Sequence, residues 1–377
     1  MQIQKEKKGS ITPTPLLLPE YNAGQRCALA TFVALPVEAG GEANTAQKKN
    51  LALSLAVPLW TGFNIRTKMG NSTSRETISY LPTINTPATQ LSTVHAVLSH
   101  ALKIKDALNL QEIVCVFDQA VYAKAAEIVW KHQDRFHTII LRMGAFHKTC
   151  MLLSIIGKWF RDAGLRDLAV ESGVIAEGSI DKVLESCQYN RGVRLHKLVY
   201  EAILRLAWKG FYSWLEEHQP GDMILLSVVN KTLKKFQENI WNVNLDEFLN
   251  NHPCSKILER VTKYMEVLRV GSGDLAAFWM SYVDLVDLLL GLIRTSREGN
   301  WLLHLHSITS LIPWCFDYDR QNYARYLPNY YAEMTRLAEV HPNTFEHFQN
   351  GCFSVQIGDC NPFGRIPVAH TNRRNRL

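Results

Sequence analysis

The chain lacks the signatures of several large enzyme classes. It has no Cys-x-x-Cys pair, no Gly-x-Gly-x-x-Gly, no phosphate-binding Gly-x-x-x-x-Gly-Lys-Ser/Thr, no Gly-x-Ser-x-Gly and no His-Glu-x-x-His. Zinc fingers, dinucleotide-dependent and P-loop enzymes, serine hydrolases and helix-borne zinc proteases therefore have no support in it. No aspartate precedes Asp106, so the first quarter of the chain is short of the acid that metal-dependent enzymes use most. No repeat and no low-complexity tract is present. No apolar segment directly follows the polar Met1–Ser10, so no secretory signal is expected. The longest apolar runs, near Leu51–Trp60 and Leu285–Ile293, fall short of the ~20 residues that span a bilayer, so no membrane partner is expected. The eight cysteines are scattered, at 27, 115, 150, 187, 254, 315, 352 and 360. Free thiols in a reducing compartment explain that scatter, and the expected location is intracellular, nuclear or cytoplasmic.

What is present is an ordinary globular composition: 377 residues, 47% hydrophobic, 20% charged, with a formal net charge of +6. That length exceeds one minimal core, and the charge permits contact with nucleic acid without demanding it. Residues 1–24 read as a disordered tail. Apolar runs at 27–36 and 51–63 suit short strands, or a strand and a short helix. Residues 80–89, with Pro82 and Pro87, should be extended, and Ser92 or Thr93 is placed to cap a helix running to Lys105.

The clearest pattern follows. Glu112–Phe117 is a short, partly β-branched apolar run ending at Asp118; Gln119–His132 reads as a helix. Thr138–Met143 is a second strand, Gly144 a turn and Phe146–Phe160 a helix. This β-α-β-α order predicts two parallel strands joined by a crossover, with Asp118 and the Gly144–His147 turn at the carboxyl ends where ligands bind in such sheets. Gly164–Ser179 reads as a Gly-rich loop, with Ser179 capping the next helix. From Ile180 to about Val340 helix follows helix, and Phe353–Ile357 is one further candidate strand. The expected class is α+β and predominantly helical, a small β-α-β-α unit with a large helical region. The expected divisions are 1–24, an α/β unit at 25–175, a helical domain or insertion at 176–340 and a C-terminal extension at 341–377.

Each candidate for chemistry has a structural alternative. Asp118, a carboxylate between a strand and a helix, suits a hard cation such as Mg²⁺; the same position suits a helix cap. His147 and Cys150 share a helix face, but a zinc site needs four ligands. A polar contact for buried His147 and a core position for Cys150 is the alternative. Arg194, Lys197, Arg205 and Lys209 form a basic stripe able to track phosphates, while Lys197–Glu201–Arg205 is equally a salt-bridge ladder. Asp284 and Asp287 lie off the apolar stripe of their helix and are read as a solvated face. Glu298 sits at a punctuated joint, Arg297-Glu298-Gly299-Asn300-Trp301. The aromatic-rich Trp314–Asp319 and Asn322–Tyr326 suit base stacking or helix packing.

Several of these segments carry a resemblance. Val116-Phe117-Asp118-Gln119-Ala120, Asp162–Asp167, Val170–Val174, Tyr189-Asn190-Arg191, Arg297–Trp301, Asn322–Tyr326 and Asn361-Pro362-Phe363-Gly364-Arg365 resemble a multicopy family of uncharacterised proteins of animal genomes associated with mobile elements. The resemblance runs from about Tyr80 to Pro367, and the chain ends soon after, the pattern of a truncated copy. More loosely, the order strand, Asp118, helix, strand, His147, helix is similar to the middle of RNase H-like transposases of the Mutator type. Those carry a cysteine three residues before the histidine, where this chain has Gly144. That similarity implies a catalytic, metal-binding role for Asp118 with Mg²⁺, a further acid at Glu298 or nearby, and DNA or RNA as partner. One credible acid implies a catalytically degenerate unit that binds nucleic acid weakly. The alternatives are a non-enzymatic helical module binding other proteins and a copy without selected function.

Overall fold

The computed structural model describes residues 78, 81, 84–238, 250–356 and 363–367. The expected tail, the apolar runs at 27–36 and 51–63 and the basic end at 373–376 lie outside them. The described chain is an α+β fold in which helices predominate. It starts with α1 (Leu91–Ala107), β1 (Ile113–Phe117), α2 (Gln119–Lys131), the single turn α3 (Gln133–Phe136), β2 (Ile139–Met143) and α4 (Ala145–Phe160). Strands β1 and β2 pair in parallel, Ile113 opposite Ile139 and Phe117 opposite Met143. Every residue of β2 is buried and those of β1 are half-buried, as a hydrophobic strand covered by helices should be. Helices α1 and α2 pack on this pair.

Helix α4 is the central helix of the fold. Phe146, Leu152, Leu153, Ile155, Ile156 and Phe160 are all buried, and they cover about half of the helix circumference, wider than a single stripe. It continues into α5 (Leu165–Glu171), α6 (Ile180–Leu184) and the long α7 (Tyr189–His218), then α8 (Met223–Glu238), α9 (His252–Val270), α10 (Asp274–Glu298), α11 (Trp301–Asp317) and α12 (Gln321–Thr335). The single turn α13 (Leu337–Val340), α14 (Pro342–Gln349) and an antiparallel two-residue pair, β3 (Val355–Gln356) with β4 (Arg365–Ile366), complete the described chain. Helix α10 packs on α4, α7, α9 and α11, and α12 returns to α2. One core cluster therefore runs from Val94 through Leu152 and Leu289 to Phe353, on both sides of residue 175. A second, smaller core, Phe211, Leu215, Leu226, Ile257, Val261 and Tyr264, joins the far half of α7 to α8 and α9 as a distal lobe.

Several local expectations need correction. Residues 164–179 are not all loop: Leu165 and Ala169, one turn apart, are buried and draw α5 onto α4. Helix α1 begins at Leu91 after Gln90, which makes no side-chain cap. The Thr93 hydroxyl bonds Thr86 Oγ1 at 3.1 Å instead. Ser179 precedes α6 but makes no cap bond either. The strand expected at Phe353–Ile357 is confined, among the described residues, to Val355 and Gln356. By length and composition α10 could cross a membrane; here it is a core helix of the fold, and it carries Asp284, Asp287, Arg294 and Glu298.

Candidate functional site at the carboxyl ends of the parallel strands

The two strands end side by side. Gly144 N–H donates to Phe117 O at 2.7 Å, which brings the start of α2 and the start of α4 to one rim. Asp118 stands there, exposed, with its Oδ1 accepting from Val121 N at 2.9 Å. It caps α2, satisfying one of the orphan N–H groups at the helix start.

Four further residues reach this rim. Tyr189 opens α7, Tyr323 lies in the first turn of α12, Cys150 lies in α4 and Arg297 in the last turn of α10. All four are half-buried, so each shows part of its surface to solvent. The Tyr189 ring lies 5.1 Å from that of Phe146. Burial pushes the Tyr189 hydroxyl up to about 12; the Cys150 side chain adds to the rise and the Arg297 guanidinium opposes it. Burial also raises Tyr323, reinforced by the charges of Cys315, Asp118 and Cys150 and opposed by Arg320. Asp118, Cys150 and Tyr323 thus share one electrostatic neighbourhood, as do Cys150, Tyr189 and Arg297. Arg320 bonds Ser154 of α4 at 2.9 Å and extends the rim. The segments around Asp118, Tyr189, Arg297 and Tyr323 are far apart in sequence, and tertiary packing brings them to one crevice.

Glu298 faces the other way. It is buried and pairs with Arg294 Nε at 2.8 Å, one turn back in α10. The joint after it has a structural account. Gly299 has φ +64°, where a side chain is strained, and a Cβ there would lie 2.9 Å from Gly351 Cα. Asn300 Oδ1 accepts from Leu303 N at 2.9 Å and caps α11, and Trp301 is buried. Among the described residues no group of three or more His, Cys, Asp or Glu is placed to hold a metal ion, and neither Asp118 nor Glu298 belongs to such a group.

The basic stripe lies along α7. Arg194 and Lys209 are exposed, and Lys197 and Arg205 half-buried. One rung of the expected ladder is formed: Arg205 Nη2 meets Glu201 Oε1 at 2.6 Å. His147 is exposed at the start of α4, contrary to the buried contact expected for it. The expectation of a solvated face at Asp284 and Asp287 also fails. Asp284 pairs with Arg269 at 2.6 Å, and Asp287 accepts from the Tyr200 hydroxyl at 2.5 Å because α7 packs across this face of α10. Burial pushes the Asp287 carboxyl up to about 7.

Two buried charges that no sequence motif marked are Arg142 in β2 and Lys148 in α4. The available signal was a lone arginine between Leu141 and Met143 in an otherwise apolar strand.

No curated protein and no solved structure matches the chain significantly. A family model does match, over residues 59–361, most of the chain and all of the crevice. The protein belongs to the family described as a domain of unknown function, DUF8702.

Proposed function

We propose that this is a mobile-element-derived, nucleic-acid-binding protein whose RNase H-like β-α-β-α unit has lost most of its catalytic equipment. The observation that carries the reading is the crevice at the carboxyl ends of β1 and β2. It offers half-exposed tyrosines 189 and 323 beside the guanidinium groups of Arg297 and Arg320. Tyrosine faces stack bases with little regard to sequence, and arginines engage phosphates, so this is a chemistry for single-stranded nucleic acid. Arg194 and Lys209, exposed on α7, add charge for the backbone. Asp118 supplies one carboxylate; if the unit retains any hydrolytic activity, Asp118 is the residue placed to hold Mg²⁺.

The test is fluorescence anisotropy of a labelled single-stranded oligonucleotide against salt concentration. Binding that weakens log-linearly with salt, and about tenfold further in Tyr323→Ala or Arg297→Ala, supports the reading. No binding at low salt overturns it. A Mg²⁺-dependent nicking assay with Asp118→Asn, which retains a capping oxygen, tests for residual chemistry.

A second reading, a helical module that binds proteins, rests on the distal lobe. Leu206 of α7 and Ile224 of α8 are 67% and 75% exposed there, apolar side chains that a protein partner could cover. Absence of oligonucleotide binding at low salt favours it.

A further inference from the structure

Beneath the crevice lies a buried cluster with positive charge and no matching acid. Arg142 is 4% exposed and Lys148 completely buried. Arg142 Nη1 donates to Phe353 O at 2.6 Å, and Lys148 Nζ donates to Met143 O at 2.9 Å. The guanidinium carbon lies 5.0 Å from the Phe348 ring, 5.1 Å from Phe353 and 5.9 Å from Trp301, and Lys148 Nζ lies 4.9 Å from the Tyr330 ring. Ring faces and carbonyl oxygens carry only partial negative charge. Among the described residues no carboxylate forms an ion pair with either cation. Burial and the neighbouring Arg142 hold the Lys148 amine well below its ordinary value, but arginine stays charged at any physiological pH, and a buried charge without a counter-charge leaves its desolvation penalty unoffset.

The same neighbourhood holds buried polar atoms with nothing to bond. Arg142 Nε, Trp301 Nε1 and His304 Nδ1 have no hydrogen-bond partner. They belong to side chains in mutual contact: the Trp301 and His304 rings stack at 5.1 Å, and Arg142 lies against Trp301. His304 Nε2 meets the Tyr330 hydroxyl at 2.8 Å. Arg142 also donates to the Tyr330 hydroxyl, whose oxygen then faces the guanidinium and whose proton turns toward Nε2. That leaves the proton of neutral His304 on Nδ1. All three unpartnered atoms are then N–H donors. Burial, with Lys148 and Arg142 adding to it, holds His304 well below its ordinary value, so the ring itself adds no charge.

We propose that this cluster is a binding site for one small inorganic anion of the halide class, held by the charge of Arg142 and by the N–H groups of Arg142, Trp301 and His304, with the Lys148 amine beside it. A monovalent ion suits a close-packed interior better than a phosphate, which needs more room and more donors. The ion would tie β2, α4, α11 and the loop at Phe353 together, so its binding is linked to folding rather than to the crevice above. A trapped water could bridge the same donors, but it would leave the charge uncompensated and make stability independent of the anion.

The experiment is urea unfolding of the full chain in sodium chloride and in sodium gluconate at equal ionic strength, with sodium bromide as a third series. The expected result is a saturable stabilisation by chloride and bromide over gluconate, following the logarithm of halide concentration above the dissociation constant. Trp301→Phe and Lys148→Met should each weaken the apparent halide affinity about tenfold, the loss of one hydrogen bond or charge contact. Equal stability in chloride and gluconate overturns the proposal, as does a halide increment that both variants retain. Should neither variant fold, diffraction from parent crystals grown in bromide decides: an anomalous peak among Arg142, Trp301 and His304 is expected, and its absence refutes the site.

Discussion

Replacing Asp287 by asparagine should make the protein more stable at mildly alkaline pH and flatten its pH dependence. The Asp287 carboxyl is raised from 3.8 to about 7, chiefly by burial, with Asp284 adding to the rise and the Tyr200 hydrogen bond, Arg269 and Arg294 opposing it. A raised carboxyl means that the native state holds the proton more tightly than the unfolded chain does. The stabilisation from that proton is complete below pH 3.8 and is lost as pH rises toward 7. From about pH 5 to about pH 8 the group crosses roughly two units, or about 2.7 kcal/mol at 1.36 kcal/mol per unit. Water reaches this half-buried side chain, so on the order of 1–2 kcal/mol is expected. Asparagine keeps an oxygen for the Tyr200 hydroxyl and cannot ionise. Urea unfolding at the two pH values, on parent and Asp287→Asn, reads the effect directly. The variant's advantage should grow with pH. Parallel pH dependences for the two proteins would refute the argument and leave Asp287 an ordinary solvated carboxylate.

Further outcomes follow from single contacts. A Cβ at Gly157 would lie 2.1 Å from the Leu184 carbonyl oxygen, which is backbone and cannot turn aside; Gly157→Ala should therefore cost on the order of 3 kcal/mol by forcing α4 and α6 apart, seen as a lower urea midpoint. Glu298→Ala leaves Arg294 buried without its partner and should destabilise by roughly 3 kcal/mol or more; unchanged stability would mean that the pair is open in solution. Asp118→Ala should cost about 1 kcal/mol as a lost helix cap, and Asp118→Asn a few tenths. Equal losses in the two, measured by thermal melting, would show that the cap contributes nothing.

Much of the organisation was legible in the residues themselves. The run Ile113–Phe117, the punctuation at Asp118 and Gly144 and the apolar Ile139–Met143 specify strand, helix, strand and helix because each signal is local: a period, a cap, a turn. The capping alternative for Asp118 was equally readable, since an acid just before a helix meets that helix's own N–H groups whatever the rest of the chain does. The periodic apolar face of α10 likewise marked it as a core helix.

What surrounds the polar faces was decided only by packing. Asp284 and Asp287 stand off the apolar stripe of α10, and nothing local says that α7 and Arg269 of α9 will close over them. Arg142 and Lys148 look like surface charges until α11, α12 and the loop at Phe353 cover β2 and the start of α4. The crevice is non-local in the same sense: Asp118, Tyr189, Arg297 and Tyr323 meet because α7 and α12 begin, and α10 ends, at the rim where the parallel strands stop. A sequence carries the propensities of its own segments. The partner that each face acquires depends on long-range burial, which no single segment contains.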